Sequence, residues 1–179
     1  MKLKEWYDVN PRGFFMVRNP DGRERMGQLI MLPLLRESLE AFMLGKVRER
    51  DLRGADLYPA SRRLISAIYI ESLILVEPHP FKRARCVRYI LSRLTSLLET
   101  LASSDNLESI YATAATDDGR RLLVHLGFRL VVPASQRLDR HDFYGLGFRE
   151  LGQSVERLVG AADAADLLPP TYAHRFTAG

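Results

Sequence analysis

Tyr69-Ile-Glu-Ser-Leu-Ile-Leu-Val-Glu77, the basic stretch Lys82-Arg-Ala-Arg85, Ser109-Ile-Tyr-Ala-Thr-Ala114 and Asp118-Gly-Arg-Arg-Leu-Leu-Val-His-Leu-Gly-Phe128 follow one another within sixty residues. The first of these alternates poorly and is almost wholly apolar, the pattern of a central strand covered on both faces, and it predicts a strand over Ile65 to Val76. Between the two apolar stretches, Val87, Ile90, Leu91, Leu94, Leu97, Leu98 and Leu101 recur at helical spacing, which predicts an amphipathic helix from Arg83 to Leu101. Ser103-Ser-Asp-Asn106 breaks it. A strand, a helix of this length and a second strand predict a parallel, right-handed crossover. Asp117-Asp118-Gly119 then opens a short helix, because an acid suits the positive end of the helix dipole and accepts from its free amides. Gly127 closes that helix as a left-handed cap.

Working outward, Gly13-Phe-Phe-Met-Val17 and Met26-Gly-Gln-Leu-Ile-Met-Leu32 flank Asn19-Pro-Asp-Gly22, a turn sequence, and read as a β-hairpin. Pro33 ends its second strand. Leu35, Leu39, Phe42, Met43 and Val47 predict a helix over Leu35 to Val47, with Gly45 as its stop. Arg48 to Arg63 is charged and without period, and reads as a loop. Phe128 to Val132 and Phe143 to Arg149 predict two closing strands joined by a polar loop. Gly152 to Leu168 carries a helical pattern that Pro169-Pro170 stops. Residues 1–12 and 170–179 read as loosely ordered ends of a single domain spanning 1–179.

Composition bounds the function classes. The chain of 179 residues is 46% hydrophobic and 27% charged, the balance of an ordinary globular domain. Its net charge of +4, from 26 basic and 22 acidic residues, suits attraction of small polyanions and falls short of the basic surplus of a nucleic-acid binder. A single cysteine, Cys86, excludes an internal disulfide and a cysteine-built metal site and suits a reducing compartment. His79, His125, His141 and His174 have no metal-ligand spacing, so no metal is expected. There is no signal-peptide core at the start and no run near the roughly 20 apolar residues of a membrane span, which makes the cytoplasm the expected location.

The order of hairpin, central strand, crossover helix, strand, short helix ending in Leu126-Gly127-Phe128 and closing hairpin resembles the GNAT superfamily of acyl-coenzyme A-dependent N-acetyltransferases, over roughly Phe14 to Phe148. The most specific piece is Asp118 to Phe128 with Arg129-Leu-Val-Val132, which is similar to that family's closing helix, Gly-Phe turn and sixth strand. The resemblance implies an α/β (α+β) fold with a mixed central sheet flanked by helices and one β-α-β crossover. It also implies transfer of an acetyl or other acyl group from acetyl-CoA, or another acyl-CoA, to an amine.

In such a fold the pantetheine arm would pair with Leu73, Ile74, Leu75 and Val76, and the pyrophosphate would sit on Lys82, Arg83, Ala84, Arg85, Cys86 and Val87. A helix start offers free amides and positive dipole to phosphate whatever its side chains. Arg85 and Val87 stand where the family pattern has glycines. Glu71 matches the expected general base: a carboxylate on a buried strand must be paired, hydrogen-bonded or functional, and burial raises its affinity for a proton. Leu123 stands where the family's acid tyrosine would be, leaving Tyr111, Tyr144 and His125 as other titratable neighbours, each with a plain structural alternative.

The partner implied is a small-molecule or protein amine, with no nucleic acid and no membrane. Trp6-Tyr-Asp-Val-Asn-Pro11 resembles only the tail of the family's N-terminal wall, so the first strand and helix read as missing. That gap and the small-residue C-terminal helix hint at a homodimer. The combined departures at Arg85, Val87 and Leu123 keep a second class in view, a GNAT-like binding or regulatory module without transfer activity.

Overall fold

The computed structural model describes residues 2–18, 23, 25–62, 65–75, 89, 107–147 and 150. Helix α1 (Lys2–Val9) leads through a 3-10 turn at Pro11–Gly13 into strands β1 (Phe14–Arg18) and β2 (Arg25–Leu32). Helix α2 (Arg36–Met43), β3 (Ala67–Leu75), β4 (Ser109–Thr113), α3 (Asp117–His125), β5 (Arg129–Val132) and β6 (Phe143–Gly147) follow. One six-stranded sheet carries them in the order β1-β2-β3-β4-β6-β5. Only β3 and β4 run parallel, with Ala67 opposite Ser109 and Ile70 opposite Ala112; the other neighbours pair antiparallel. This is the mixed sheet flanked by helices that the sequence implies.

Side-chain alternation along β3 divides the core between the two faces of the sheet. Ile68 and Ile70 join Leu29, Ile110, Ala112, Leu123 and Phe128 on the α3 face. Tyr69 points the other way, into Trp6, Leu32, Phe42, Leu52 and Phe143 beneath α1 and α2. On α2, Leu39 and Phe42 are the buried residues, as their spacing predicts. The helix is shorter than Leu35 to Val47 because Gly45 takes φ +69°, which ends the right-handed run.

Two expectations need correction. The chain over 1–12 is not loose: Lys2–Val9 is helical, Trp6 is 2% exposed, Glu5 Oε1 accepts from the Gly54 amide at 2.6 Å, and Asn10 Nδ2 donates to the Tyr58 carbonyl at 3.0 Å. A helix, α1, therefore precedes β1, held by one large apolar side chain and two polar ties. Helix α3 is capped by Thr116 rather than by an aspartate. Thr116 Oγ1 accepts from the Gly119 amide at 3.1 Å, while Asp117 and Asp118 lie in the first turn and pair with Arg120 and Arg121. Gly127 closes α3 at φ +87°, and the Phe128 amide returns to the Leu123 carbonyl at 3.0 Å, as the Leu-Gly-Phe sequence predicts.

The turn at 19–22, the helix expected over Arg83 to Leu101 except for Tyr89, the helix expected over Gly152 to Leu168 and the end at 170–179 lie outside the described residues.

Candidate functional site

The β3 to β4 ladder stops at Ile70 opposite Ala112, yet β3 continues to Leu75 against β2. The two parallel strands separate from that point, and the edge of β3 that faced β4 loses its strand partner. On the β2 side the register shifts there as well: Ile70 lies opposite Met31 and Ser72 opposite Ile30, so Glu71 is the extra residue of a β-bulge. The bulge is visible in the packing, since Ile68 and Ile70 belong to the α3 face and Leu73 joins them one residue out of phase.

A cavity of about 340 Å³ fills the opening between the strands. Glu71, Ser72, Leu73 and Ile74 border it from β3, Ala112 to Thr116 from β4 and the turn after it, and Leu122, Leu123 and Leu126 from α3. The volume lies within the usual range for a small-molecule site, and an apolar wall with few polar groups is the common composition. Of the expected cofactor-binding residues, Leu73 and Ile74 border this cavity and Leu75 continues the same strand. Val76, Lys82, Arg83, Ala84, Arg85, Cys86 and Val87 lie outside the described residues.

Glu71 is half-buried at the apex of the opening, and its Oε2 is buried with no hydrogen-bond partner among the described residues. Burial pushes its carboxyl above the usual range, and the Glu49 charge adds to the rise. The Ser72 hydroxyl and the Lys2 ammonium oppose it. Ser72 Oγ is nevertheless without a hydrogen bond of acceptable geometry, so its influence on Glu71 is one of proximity rather than of a formed bond. Its carboxyl thus holds a proton more readily than an exposed one does.

Beside Glu71, on the α1 and α2 side of the sheet, lies a polar chain that the sequence does not reveal. Tyr69 is fully buried, and its hydroxyl donates to Glu49 Oε2 and lies 2.8 Å from Thr113 Oγ1. Burial first, and Glu49 second, hold the Tyr69 phenol well above its ordinary range, so it remains a protonated donor. Lys2 Nζ donates to the Glu49 carbonyl oxygen and stands 4.7 Å over the Trp6 ring. Burial lowers the Lys2 pKa, and Glu49, Asp51 and Glu71 raise it in opposition. No local signal marks Tyr69 as a neighbour of Glu71, because the bulge at Glu71 breaks the two-residue alternation between them. Nothing local marks Glu49, twenty residues earlier in a charged loop.

The remaining candidates separate. Tyr111 stacks on Phe143 at 5.5 Å and packs in the α2-side core. Tyr144 is buried in the α3-side core, its hydroxyl donating to Asp142 Oδ2 at 3.3 Å, and burial with the Asp142 charge raises its pKa. His125 is exposed on α3. Leu123, at the position of the family's acid tyrosine, is 9% exposed and borders the cavity. Among the described residues no group of three or more His, Cys, Asp and Glu could hold a metal ion, and no helix is long and apolar enough to cross a membrane.

No family model matches the chain, and no curated protein matches it. Solved structures do. GphF, a GNAT-like decarboxylase in complex with isobutyryl-CoA, is 16% identical at a TM-score of 0.53, over 82% of this chain and 84% of its own. A mutant AtaT toxin bound to the C-terminus of the antitoxin AtaR and acetyl-CoA is 12% identical at a TM-score of 0.38, over 77% of this chain and 67% of its own. RimJ of Mycobacterium smegmatis in complex with CoA-disulfide is 21% identical at a TM-score of 0.44, over 79% of this chain and 56% of its own. The likeness to GphF shows the fold: the six-stranded sheet with its parting parallel strands is of the GNAT-like type, in a divergent sequence.

Proposed function

We propose that this chain is an acyltransferase that moves an acetyl or other acyl group from an acyl-CoA to an amine. The observation that carries the reading is the opening between β3 and β4, with the bulged Glu71 and its free carboxylate oxygen at the apex. The edge of β3 from Leu73 onward, which has no strand partner among the described residues, is suited to pair with the amides of a pantetheine arm, and the apolar walls exclude water from the thioester. Lys82, Arg83 and Arg85 supply positive charge for the pyrophosphate where the glycine pattern is broken at Arg85 and Val87. GphF, which shares the fold, is a GNAT-like decarboxylase in complex with isobutyryl-CoA.

In this reading the amine nitrogen attacks the thioester carbonyl carbon, forming the C–N bond as the C–S bond breaks and CoA leaves as thiolate. Glu71, or a water it holds, takes the amine proton. A backbone amide of the central strand stabilises the developing oxyanion. The thiolate takes its proton from solvent, since Leu123 has none to give. The amine is a small molecule or a protein side chain, the domain is single over 1–179, and a cytoplasmic homodimer is the expected form; sedimentation tests that last point.

A second reading has one observation in its favour. An apolar Leu123 in the cavity wall, in place of a proton donor, fits a module that binds an acyl-CoA without transferring the acyl group. Isothermal titration with acetyl-CoA, followed by thiol release in the presence of amines, decides between them. Binding with release, and loss of binding when Lys82, Arg83 and Arg85 are neutralised, supports the transferase. Binding without release supports the module, and no binding at millimolar acetyl-CoA removes both.

A further inference from the structure

The chain Glu49, Tyr69, Thr113 has a fixed direction. Tyr69 has one hydroxyl proton, and it is given to Glu49 Oε2. The Tyr69 oxygen can therefore only accept in its 2.8 Å contact with Thr113, which makes Thr113 the donor in that contact. Thr113 also has one proton, and this contact uses it. Its Oγ1 keeps lone pairs alone for any further partner.

Thr113 and Glu71 both border the cavity where β3 and β4 part. Glu71 Oε2 is buried and has no hydrogen-bond partner among the described residues. Thr113 and Glu71 thus bring two acceptors, a hydroxyl oxygen and a carboxylate, to the border of the cavity from adjacent strands. A ligand that meets both needs at least two polar hydrogens on one atom or on neighbouring atoms. A primary amine or its ammonium form has them; an alcohol has one, and a carboxylate has none. An alcohol or carboxylate oxygen placed here would face lone pairs, which is costly in a half-buried site.

We propose that Thr113 Oγ1 is a specificity-determining acceptor for the N–H groups of the amine substrate, with Glu49 and Tyr69 as positioning residues that fix its direction. The assignment rests on the acyl-transfer reading for what happens to the amine, but not for its binding. It sets a preference for nitrogen over oxygen acceptors at the ground-state contact, before any chemistry. Glu49 acts at a distance: its charge orients Tyr69, and Tyr69 orients Thr113.

The test is amide NMR on the isotopically labelled full chain, titrated separately with n-butylamine and n-butanol as probes. Butylamine is expected to perturb the amides around Ser72 and Thr113, and butanol to leave them nearly unchanged. Thr113→Val, close in shape but without the hydroxyl, is expected to weaken the butylamine response by about fivefold, the loss of roughly one neutral hydrogen bond. Thr113→Ser restores it. Tyr69→Phe frees the Thr113 proton to point at the ligand, so the butanol response rises toward that of butylamine, a change that a merely structural tyrosine would not produce. Equal responses to the two probes in the unaltered protein, or a Thr113→Val response unchanged from it, would overturn the assignment. Acetyl-CoA added to the same sample separates the two ideas: failure to bind it removes the transfer reading, while the amine contact is judged by butylamine alone.

Discussion

Arg137 Nη1 donates a hydrogen bond to the Phe42 carbonyl oxygen at 2.6 Å, joining the loop between β5 and β6 to the last turn of α2 across 95 residues of sequence. The same nitrogen reaches the Met43 carbonyl at 2.8 Å, so one guanidinium meets two carbonyls at the end of α2 and its negative dipole, the Phe42 oxygen also accepting from the Gly45 amide at 2.9 Å. Its other nitrogens pair with Asp139 at 2.8 and 3.1 Å, and its plane lies 4.7 Å from the Phe42 ring and 4.8 Å from the Phe143 ring. Those two rings flank Tyr69, Phe42 edge-on at 4.8 Å and Phe143 stacked at 6.2 Å. The buried arginine therefore sets the aromatic cage that aims the Tyr69 hydroxyl.

Arg137→Ala should accordingly cost about 3–5 kcal/mol, the usual loss when one member of a buried, hydrogen-bonded ion pair is removed. Arg137→Lys keeps the charge but loses the fork that reaches two carbonyls and a carboxylate at once, and should fall between the two proteins. Urea denaturation measures both. A loss below about 1 kcal/mol for the alanine variant would mean that Arg137 behaves as an exposed pair does, contrary to its 3% exposure.

Gly45 turns the chain away from α2 at φ +69°, and a Cβ built there would lie 2.6 Å from the Arg137 Cα. Gly45→Ala meets two penalties together, the left-handed conformation at about 1–2 kcal/mol and a backbone collision that no rotamer relieves. A loss of about 2 kcal/mol or more is expected in the same denaturation experiment. Because the clash falls on Arg137, the Tyr69 phenol fluorescence should change along with the stability.

Trp6 anchors α1 with 2% exposure among Leu34, Leu52 and Leu57, and its Nε1 has no partner among the described residues. Trp6→Ala should cost about 3–5 kcal/mol, as large-to-small changes of buried aromatics do. Hydrogen exchange should then speed up first over residues 2–9 and at Gly54, whose amide is held by Glu5. Uniform acceleration across the sheet instead would show that α1 is not a locally opening unit.

These dependencies mark where the sequence stops being legible. The hairpin, the central strand, the parallel β3 and β4 and the Leu-Gly-Phe closure rest on local signals: apolar period, a turn sequence, a glycine at positive φ. They could be placed from residues close together in the chain. The strand Tyr69 to Val76 shows Glu71 as an acid in apolar company, and that alone marks it. Glu49 and Arg137 carry no such mark, because each sits in a charged, aperiodic segment and acquires its role from a partner twenty or ninety-five residues away. Leu52 and Leu57, both nearly fully buried, are hidden in the same way by the charges around them. Trp6 is hidden because one aromatic in a short, polar stretch gives no period to recognise.

Glu71 supplies the last prediction through its raised proton affinity. Relative to its ordinary value of 4.5, the folded carboxyl is shifted upward, chiefly by burial, with Glu49 adding to the rise and Ser72 and Lys2 opposing it. The native state therefore binds more protons than the unfolded chain between that ordinary value and the raised one. The stability carried by this difference is fully present below the unfolded pKa and is lost as pH rises through the folded pKa. Glu71→Gln removes the linkage, so the stability of the unaltered protein relative to the variant should fall as pH rises from the ordinary carboxyl value of 4.5 through the raised one. Urea denaturation of both proteins across that range measures the difference, and a flat difference would contradict the shift. The transfer proposal adds a second readout on the same variant: turnover should drop by roughly 10²–10⁴-fold, the range for loss of a general base, while acetyl-CoA binding persists. A variant with the pH-dependent stability difference and undiminished turnover would leave Glu71 as a strained buried acid and move the base elsewhere in the cavity.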